Sequence, residues 1–282
     1  MKLAFVSCVQ LGYDCFESLI KEGYIPNLCV TLVDNKARNK SGRVFFDEIC
    51  KKNNISLIKV ENINSDQVIK KLLFNNIDIL FVIGWSQIVT RKIINSVNHG
   101  VYGIHPTLLP IGRGRAPIPW AIIKKLKYTG VTLFKIDEGV DSGDIIDQKK
   151  ITISKEETAF SLYKKVSRQQ IKILLKNINS IISGTYKLKK QSKSKVTYWK
   201  KRNPKDGIIN INGSVYTAAR KIRALTHPYP GAFIIKDKKV YIVFSAKVRK
   251  KNKKNKFIKF RDGFLELLEY KVTKINSYKS II

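Results

Sequence analysis

Three histidines, His99, His105 and His227, are the only imidazoles in this 282-residue chain, and their surroundings separate them. His105 opens the run His105-Pro106-Thr107-Leu108-Leu109-Pro110, with Gly112 and Gly114 close behind. Prolines and glycines at that density hold backbone open where a substrate can approach. A neutral imidazole placed there can take a proton from an amine or donate to an oxyanion. A second loop, Glu138-Gly139-Val140-Asp141-Ser142-Gly143-Asp144, offers a carboxylate partner in Asp141, which two glycines flank. The same loop also reads as a glycine-punctuated hairpin with solvated acids, and its composition alone does not choose between the two. Gly112-Arg113-Gly114-Arg115 adds guanidinium forks and backbone N–H groups suited to phosphate.

Other chemistries lack their residues. Three scattered histidines and four cysteines (Cys8, Cys15, Cys29, Cys50) without a CxxC pair supply no metal set, so no metal is expected. Cys8 and Cys29 fall in apolar, strand-like runs and read as core. No GxGxxG follows the first strand and no GxxxxGK[ST] occurs, which removes the dinucleotide and P-loop readings. The net charge of +33 would draw in polyanions such as tRNA, a nucleotide-linked substrate or a polyglutamylated cofactor. Yet the excess is nearly all lysine, spread along the chain beside abundant Ile and Asn, as A/T-rich coding also produces. Lysine runs such as Arg249 to Lys254 read as solvated loops.

Positioning such residues requires a scaffold, and hydrophobic residues at 44% are enough for a buried core. The first half alternates strand and helix patterns: strands at Leu3 to Cys8, Leu28 to Val33, Ser56 to Val60, Ile77 to Ile83 and Val101 to Ile104. Helices fall between them at Gln10 to Glu22, Ser41 to Asn53 and from Ser65 to about Phe74. The unalternating run Ile77 to Ile83 fits a central parallel strand buried on both faces. The rhythm implies an α/β doubly wound, mainly parallel sheet, whose ligands sit beyond the carboxyl ends of the strands, where His105 falls. Strands at Thr129 to Ile136 and Ile145 to Ile153 follow, then a long helix from Glu156 to about Ile182. Residues 1–186 form the expected catalytic domain, 187–203 a lysine-rich linker and 204–282 a small, mostly β (OB-like) domain. The N-terminal apolar run is too short for a signal peptide, and no stretch approaches the roughly 20 apolar residues of a membrane helix. A cytoplasmic protein without a membrane partner is expected.

Four stretches resemble the formyltransferases that use 10-formyltetrahydrofolate. They are His105 to Pro110 continuing through Gly112 to Ile118; Thr129-Gly130-Val131-Thr132; Gly139 to Asp144; and Ile222 to Leu225 with Pro228 to Phe233. Their order and spacing match from about Phe5 to Tyr270. The resemblance implies 10-formyltetrahydrofolate as co-substrate, His105 as the catalytic histidine and Asp141 as the carboxylate that orients it or relays protons. It places the cofactor against Trp85, Ser86, Gln87 and Ile88, against Thr107, Leu108, Leu109 and Pro110, and against Gly139 and Val140. Arg113, Gly114 and Arg115 would meet the acceptor substrate. The family usually carries an asparagine two residues before the histidine, where its amide helps hold the formyl oxygen; this chain has Gly103. Loss of one oxyanion donor costs about 10²–10³ in rate. A substitute donor, a subfamily with altered geometry and a weakened enzyme are the three explanations, the first two fitting an otherwise intact motif better.

Two acceptors are in view. The segment after the second strand, Val33 to Arg43, is shorter than the basic insertion with which methionyl-tRNA formyltransferases grip an acceptor stem. Arg113-Gly114-Arg115-Ala116-Pro117 with Trp120 looks closer to enzymes acting on 4-amino sugars attached to nucleotides. A nucleotide-linked amino sugar is therefore the expected substrate, initiator methionyl-tRNA the alternative. A non-catalytic module binding RNA or another anion is the reading from a different class, favoured by Gly103 and opposed by His105 and Asp141. Oligomeric state stays open, a homodimer included.

Overall fold

Unbroken apolar runs become the middle of a sheet covered on both faces. The computed structural model describes residues 1–37, 40–250 and 257–274. In chain order its elements are β1 (Leu3–Val6), α1 (Gln10–Lys21), β2 (Leu28–Leu32), α2 (Asp34–Ala37), α3 (Asp47–Lys52), β3 (Ser56–Val60), α4 (Asp66–Phe74), β4 (Ile79–Ile83), α5 (Arg91–Ile94) and β5 (Gly100–His105). They continue as β6 (Arg113–Gly114), α6 (Pro117–Ile123), β7 (Tyr128–Lys135), β8 (Ile145–Thr152), α7 (Ala159–Ser183) and β9 (Tyr198–Trp199). Last come α8 (Val215–Leu225), β10 (Ala232–Lys236), β11 (Lys239–Arg249), β12 (Phe257–Phe260) and β13 (Gly263–Lys274). Every residue of β1, β2 and β4 is buried, which is why these segments show no polar alternation.

The described chain divides into two compact units. The first comprises Met1–Arg115, Thr129–Thr152 and Lys164–Trp199; the second takes Ala116–Tyr128, Ile153–Tyr163 and the chain from Lys200 onward. In the first, a seven-stranded sheet runs in the order β3-β2-β1-β4-β5-β7-β8. Strands β1 to β5 pair in parallel, and β7 lies antiparallel to β5 with Thr132 opposite His105. Strand order reverses between β1 and β4, so the switch-point crevice of this sheet opens at their carboxyl ends, one strand from His105. One core gathers Ala4, Val6, Leu28, Val30, Leu80, Val82 and Val101 with Val68 and Leu72 of α4. All four cysteines are buried as free thiols, and burial pushes the Cys8 and Cys15 thiols up.

The second unit holds a four-stranded antiparallel sheet, β10-β11-β13-β12. A register irregularity around Ser245 interrupts its longest pair, and α8 packs on β11 and against α6. Phe233, Val240, Ile242 and Phe244 form its core. Here Trp120 donates its indole N–H to the Lys200 carbonyl at 2.9 Å, and the Arg202 guanidinium lies 4.9 Å from its ring centre.

One expected helix is shorter than its pattern. Ser41 to Phe46 stay outside α3 because their backbone and side chains are engaged elsewhere. Gly42 adopts φ 72°, its carbonyl accepts the Gln10 N–H at 2.7 Å, and Arg43 bridges to Val9. The Arg43 guanidinium reaches Thr31 Oγ1, the Leu32 carbonyl and Asp34 Oδ1 at 3.2, 3.2 and 3.0 Å. Among the described residues, no helix is long and apolar enough to cross a membrane, and no group of three or more His, Cys, Asp or Glu side chains could hold a metal ion.

Candidate active site

His105 ends β5 and is only 7% exposed. Its Nε2 lies 2.8 Å from the Gly112 carbonyl oxygen. A carbonyl can only accept, so Nε2 carries a proton and Nδ1 is left as the nitrogen free to gain or lose one. Asp141 Oδ2 stands 3.5 Å from that Nδ1, long for a hydrogen bond but close enough to stabilise a protonated ring by charge. The same oxygen accepts the Gly114 N–H at 2.8 Å, which fixes the carboxylate. The ring is thus tied to Gly112 on one side and the acid to Gly114 on the other. Asp141 itself adopts φ 48°, a left-handed conformation that Asp tolerates better than most residues. Its turn closes because Gly143 has no side chain: a Cβ there would stand 1.7 Å from the Lys135 carbonyl oxygen.

The loop after His105 is pinned from β7 and β8. The Thr132 hydroxyl donates to the Thr107 carbonyl at 2.7 Å and accepts the Leu109 N–H at 3.1 Å. Gln148 Nε2 reaches both the Leu109 carbonyl and Thr132 Oγ1 at 2.8 Å. The Pro110 carbonyl accepts the Thr197 N–H at 3.2 Å, and Leu108 packs beside Gly130. Thr107 Oγ1 is buried and has no partner among the described residues.

The loop after β4 is stitched to the loop after β3. Gln87 accepts the Ile63 N–H at 2.8 Å and the Trp85 indole N–H at 3.2 Å, and donates to the Glu61 carbonyl at 2.7 Å. Asn64 Nδ2 donates to the Ile88 carbonyl at 2.9 Å. The Ser86 hydroxyl takes the Lys40 ammonium at 3.2 Å, and its carbonyl takes Arg115 Nη2 at 2.6 Å. Gln87, Ile88 and Arg115 share the wall of an open cavity of about 560 Å³ with Lys36, Asn62 and Asn64.

Gly103 lies on the same face of β5 as His105, and β7 with the residue that follows it supplies its neighbours. A Cβ at Gly103 would stand 3.0 Å from Ile136 Cδ1 and 3.1 Å from Phe134 Cε1. Apolar side-chain ends therefore flank Gly103 closely, and any side chain placed there meets them in tight contact. Gly103→Asn is expected to overpack this spot and lower stability by about 1–3 kcal/mol. It should lower turnover rather than raise it; denaturant titration and kcat check both.

The residues singled out from sequence are distributed unevenly. His105, Asp141 and Gly114 come together, with Thr107, Leu109 and Pro110 in the adjoining loop. Arg113 turns inward: the residue is 8% exposed, and its guanidinium is bonded to Gln191 Oε1 at 3.1 and 2.8 Å and to the Tyr198 hydroxyl at 3.3 Å. Gly139 donates its N–H to Asp137 Oδ1, and Val140 is exposed. Sequence reasoning missed Gln148, Gln191 and Thr197, which are distant in the chain and lie outside the quoted motifs. Thr132 carried a signal, as the last residue of Thr129-Gly130-Val131-Thr132.

An imidazole with a fixed carboxylate opposite one ring nitrogen, at the end of a strand beside the switch point, is a site of the class fit for acid–base chemistry. Comparison with known proteins gives the class its particular form. Residues 31–178 match the family model described as formyl transferase, and residues 201–271 match that of the formyl transferase C-terminal domain. A methionyl-tRNA formyltransferase of Lachnospira eligens is 30% identical over 251 residues, 88% of this chain and 79% of that protein. The bifunctional polymyxin resistance protein ArnA of Wigglesworthia glossinidia brevipalpis is 33% identical over 252 residues, of which this chain spans 38% of the length. Among solved structures, an N-formyltransferase of Helicobacter canadensis, in complex with folinic acid and dTDP-3-aminofucose, superposes with a TM-score of 0.70 at 20% identity. That superposition covers 96% of this chain and all of the other, a likeness of fold. The chain belongs to the formyl transferase family and is a formyltransferase.

Proposed function

We propose that this formyltransferase moves the formyl group of 10-formyltetrahydrofolate to the primary amine of a nucleotide-linked amino sugar, with His105 and Asp141 carrying the proton transfers. In that reaction the amine nitrogen bonds to the formyl carbon, the bond from that carbon to the folate nitrogen breaks, and a proton passes from the amine to the departing nitrogen. His105 Nδ1 takes the amine proton, Nε2 being committed to Gly112, and the Asp141 carboxylate stabilises the resulting imidazolium. The observation that carries this reading is the pair itself, an imidazole with one nitrogen committed and a fixed carboxylate facing the other. The cavity beside Gln87 and Ile88 is walled by residues of the loop after β4, where the resemblance places the cofactor. Formyl transfer is assigned to residues 1–186, residues 187–203 to a connection and 204–282 to the C-terminal module.

For the acceptor, the shortness of the segment after β2 supports the sugar, and within that segment the Arg43 side chain turns inward and is only 9% exposed. Initiator methionyl-tRNA is the second reading, favoured by the +33 charge and by relatives of that name. Purified protein with 10-formyltetrahydrofolate and a panel of nucleotide-linked amino sugars is expected to release tetrahydrofolate with at least one of them. Turnover of charged initiator tRNA alone would overturn the sugar assignment.

A further inference from the structure

A ring of contacts surrounds the His105–Asp141 pair and closes through a residue from the stretch that read as a lysine-rich linker. Gln191 donates both amide hydrogens to the Asp141 turn, at 2.8 Å to the Asp141 carbonyl and 2.7 Å to the Gly143 carbonyl. Its amide oxygen accepts Arg113 Nε and Nη2 at 3.1 and 2.8 Å. Both ends of the side chain are therefore spent. Arg113 sits between Gly112, whose carbonyl meets His105 Nε2, and Gly114, whose N–H meets Asp141 Oδ2. The circuit runs from His105 through Gly112, Arg113 and Gln191 to Asp141 and back to His105.

The same stretch grips the Gly112–Arg115 backbone. Thr197 Oγ1 accepts the Gly112 N–H at 2.8 Å, the Thr197 carbonyl accepts the Arg113 N–H at 2.9 Å, and the Trp199 carbonyl accepts the Arg115 N–H at 3.0 Å. Lys189 exchanges two backbone hydrogen bonds of 2.8 Å with Ile145. Internally, Asp137 Oδ1 holds the Asp141 turn through Ser142 Oγ at 2.6 Å and the Gly139 N–H at 3.1 Å. Gln191 sets where that turn stands relative to His105. A turn whose central residue is left-handed and partly exposed drifts once its carbonyls lose their donor, and a 3.5 Å charge contact weakens quickly with distance.

We propose that Gln191 is a positioning residue that holds the Asp141 carboxylate opposite His105 Nδ1, and that residues 189–199 act as a strap on the active-site loops. The catalytic part of this inference rests on the proposed roles of His105 and Asp141; the positioning part does not. Two variants separate the contacts. Gln191→Leu removes all four hydrogen bonds, whereas Gln191→Glu keeps the acceptor for Arg113 and removes the donors to Asp141 and Gly143. Both are expected to lower kcat roughly 10- to 100-fold, the scale of a misplaced catalytic group. KM for both substrates should stay within about twofold of wild type, because the lost contacts act on the transition state. In an Asp141→Asn background Gln191→Glu, which keeps the Arg113 contacts, should have no further effect, since the donors it removes act on the Asp141 turn.

A second readout is independent of activity. With three histidines, ¹⁵N-histidine spectra assigned through His99 and His227 variants isolate the His105 ring nitrogens. Gln191→Leu, which adds no charge, should move the His105 signals in the direction that Asp141→Asn moves them, leaving those of His99 and His227 in place. Unmoved His105 signals, or an equal loss of kcat in the wild-type and Asp141→Asn backgrounds, would overturn the proposal. If Asp141→Asn itself leaves the rate unchanged, the catalytic reading of Asp141 fails, and the ring-nitrogen comparison alone decides the positioning role.

Discussion

His105→Ala is expected to lower kcat for formyl transfer about 10²–10⁴-fold, the contribution of a positioned acid–base group. Because the imidazole acts on the proton that moves in the transition state, kcat and kcat/KM should fall together, with KM for the amine little changed. The fold should survive. His105 is the last residue of β5, and its side chain makes one short bond, to a carbonyl in a loop that Thr132, Gln148 and Thr197 hold independently. Asp141→Asn tests the other half. The amide keeps an acceptor for the Gly114 N–H but removes the charge opposite Nδ1, so a loss of about 10²-fold or more is expected from an uncompensated imidazolium. Wild-type rates from both variants, measured as tetrahydrofolate release, would remove this pair from the mechanism.

Gly143→Ala should rank next in effect. The added methyl would stand 1.7 Å from the Lys135 carbonyl oxygen and 2.9 Å from its carbon, about half a van der Waals separation in the first case. Neither group is the flexible end of a side chain. The turn, exposed along Glu138 to Val140, must move instead of β7, which is buried through Phe134. That movement carries the Gly143 carbonyl off Gln191 and Asp141 away from His105. An ångström of displacement at a reacting group costs about 10² in rate, and a loss of at least that size is expected with the sheet intact by circular dichroism. Undiminished turnover would mean that the turn can open at Lys135 without disturbing the pair.

The contrast between these two substitutions follows what each residue faces. His105 loses chemistry and little packing; Gly143 loses geometry and no chemistry. Gly103 belongs with the second kind, since Phe134 and Ile136 stand closely over it and meet any side chain placed there. Arg113 crosses from one kind to the other. As a sequence feature it suggests a phosphate contact, yet a guanidinium beside Gln191 and Tyr198 satisfies its hydrogen bonds internally and is buried by them.

Periodicity alone made much of the scaffold legible. The runs at Leu3 and Ile79 contain no polar residue and that at Leu28 only Thr31, so they lack a solvent face and read as central strands, and β3 falls where its pattern places it. The helix expected from Ser41 shows the limit. Phe45 has helical spacing to Ile49, but Arg43 is drawn to β2 and the residues after it by hydrogen bonds to Thr31, Leu32 and Asp34, contacts with no local signature.

The sequence by itself determined which residues are chemically able to act: one imidazole in an open loop, one carboxylate between glycines, and a parallel sheet whose strand ends receive them. Those properties are local, set by residue type and by spacing within a single loop or strand. Only the tertiary structure decided which imidazole nitrogen is free, what fills the space at Gly103, and that a glutamine 50 positions beyond Asp141 bonds to its turn. Each of these depends on hydrogen bonds and contacts between segments far apart in the chain. The backbone and side-chain groups that make them are common to many residues, so they become specific only when folding brings the segments within about 3 Å.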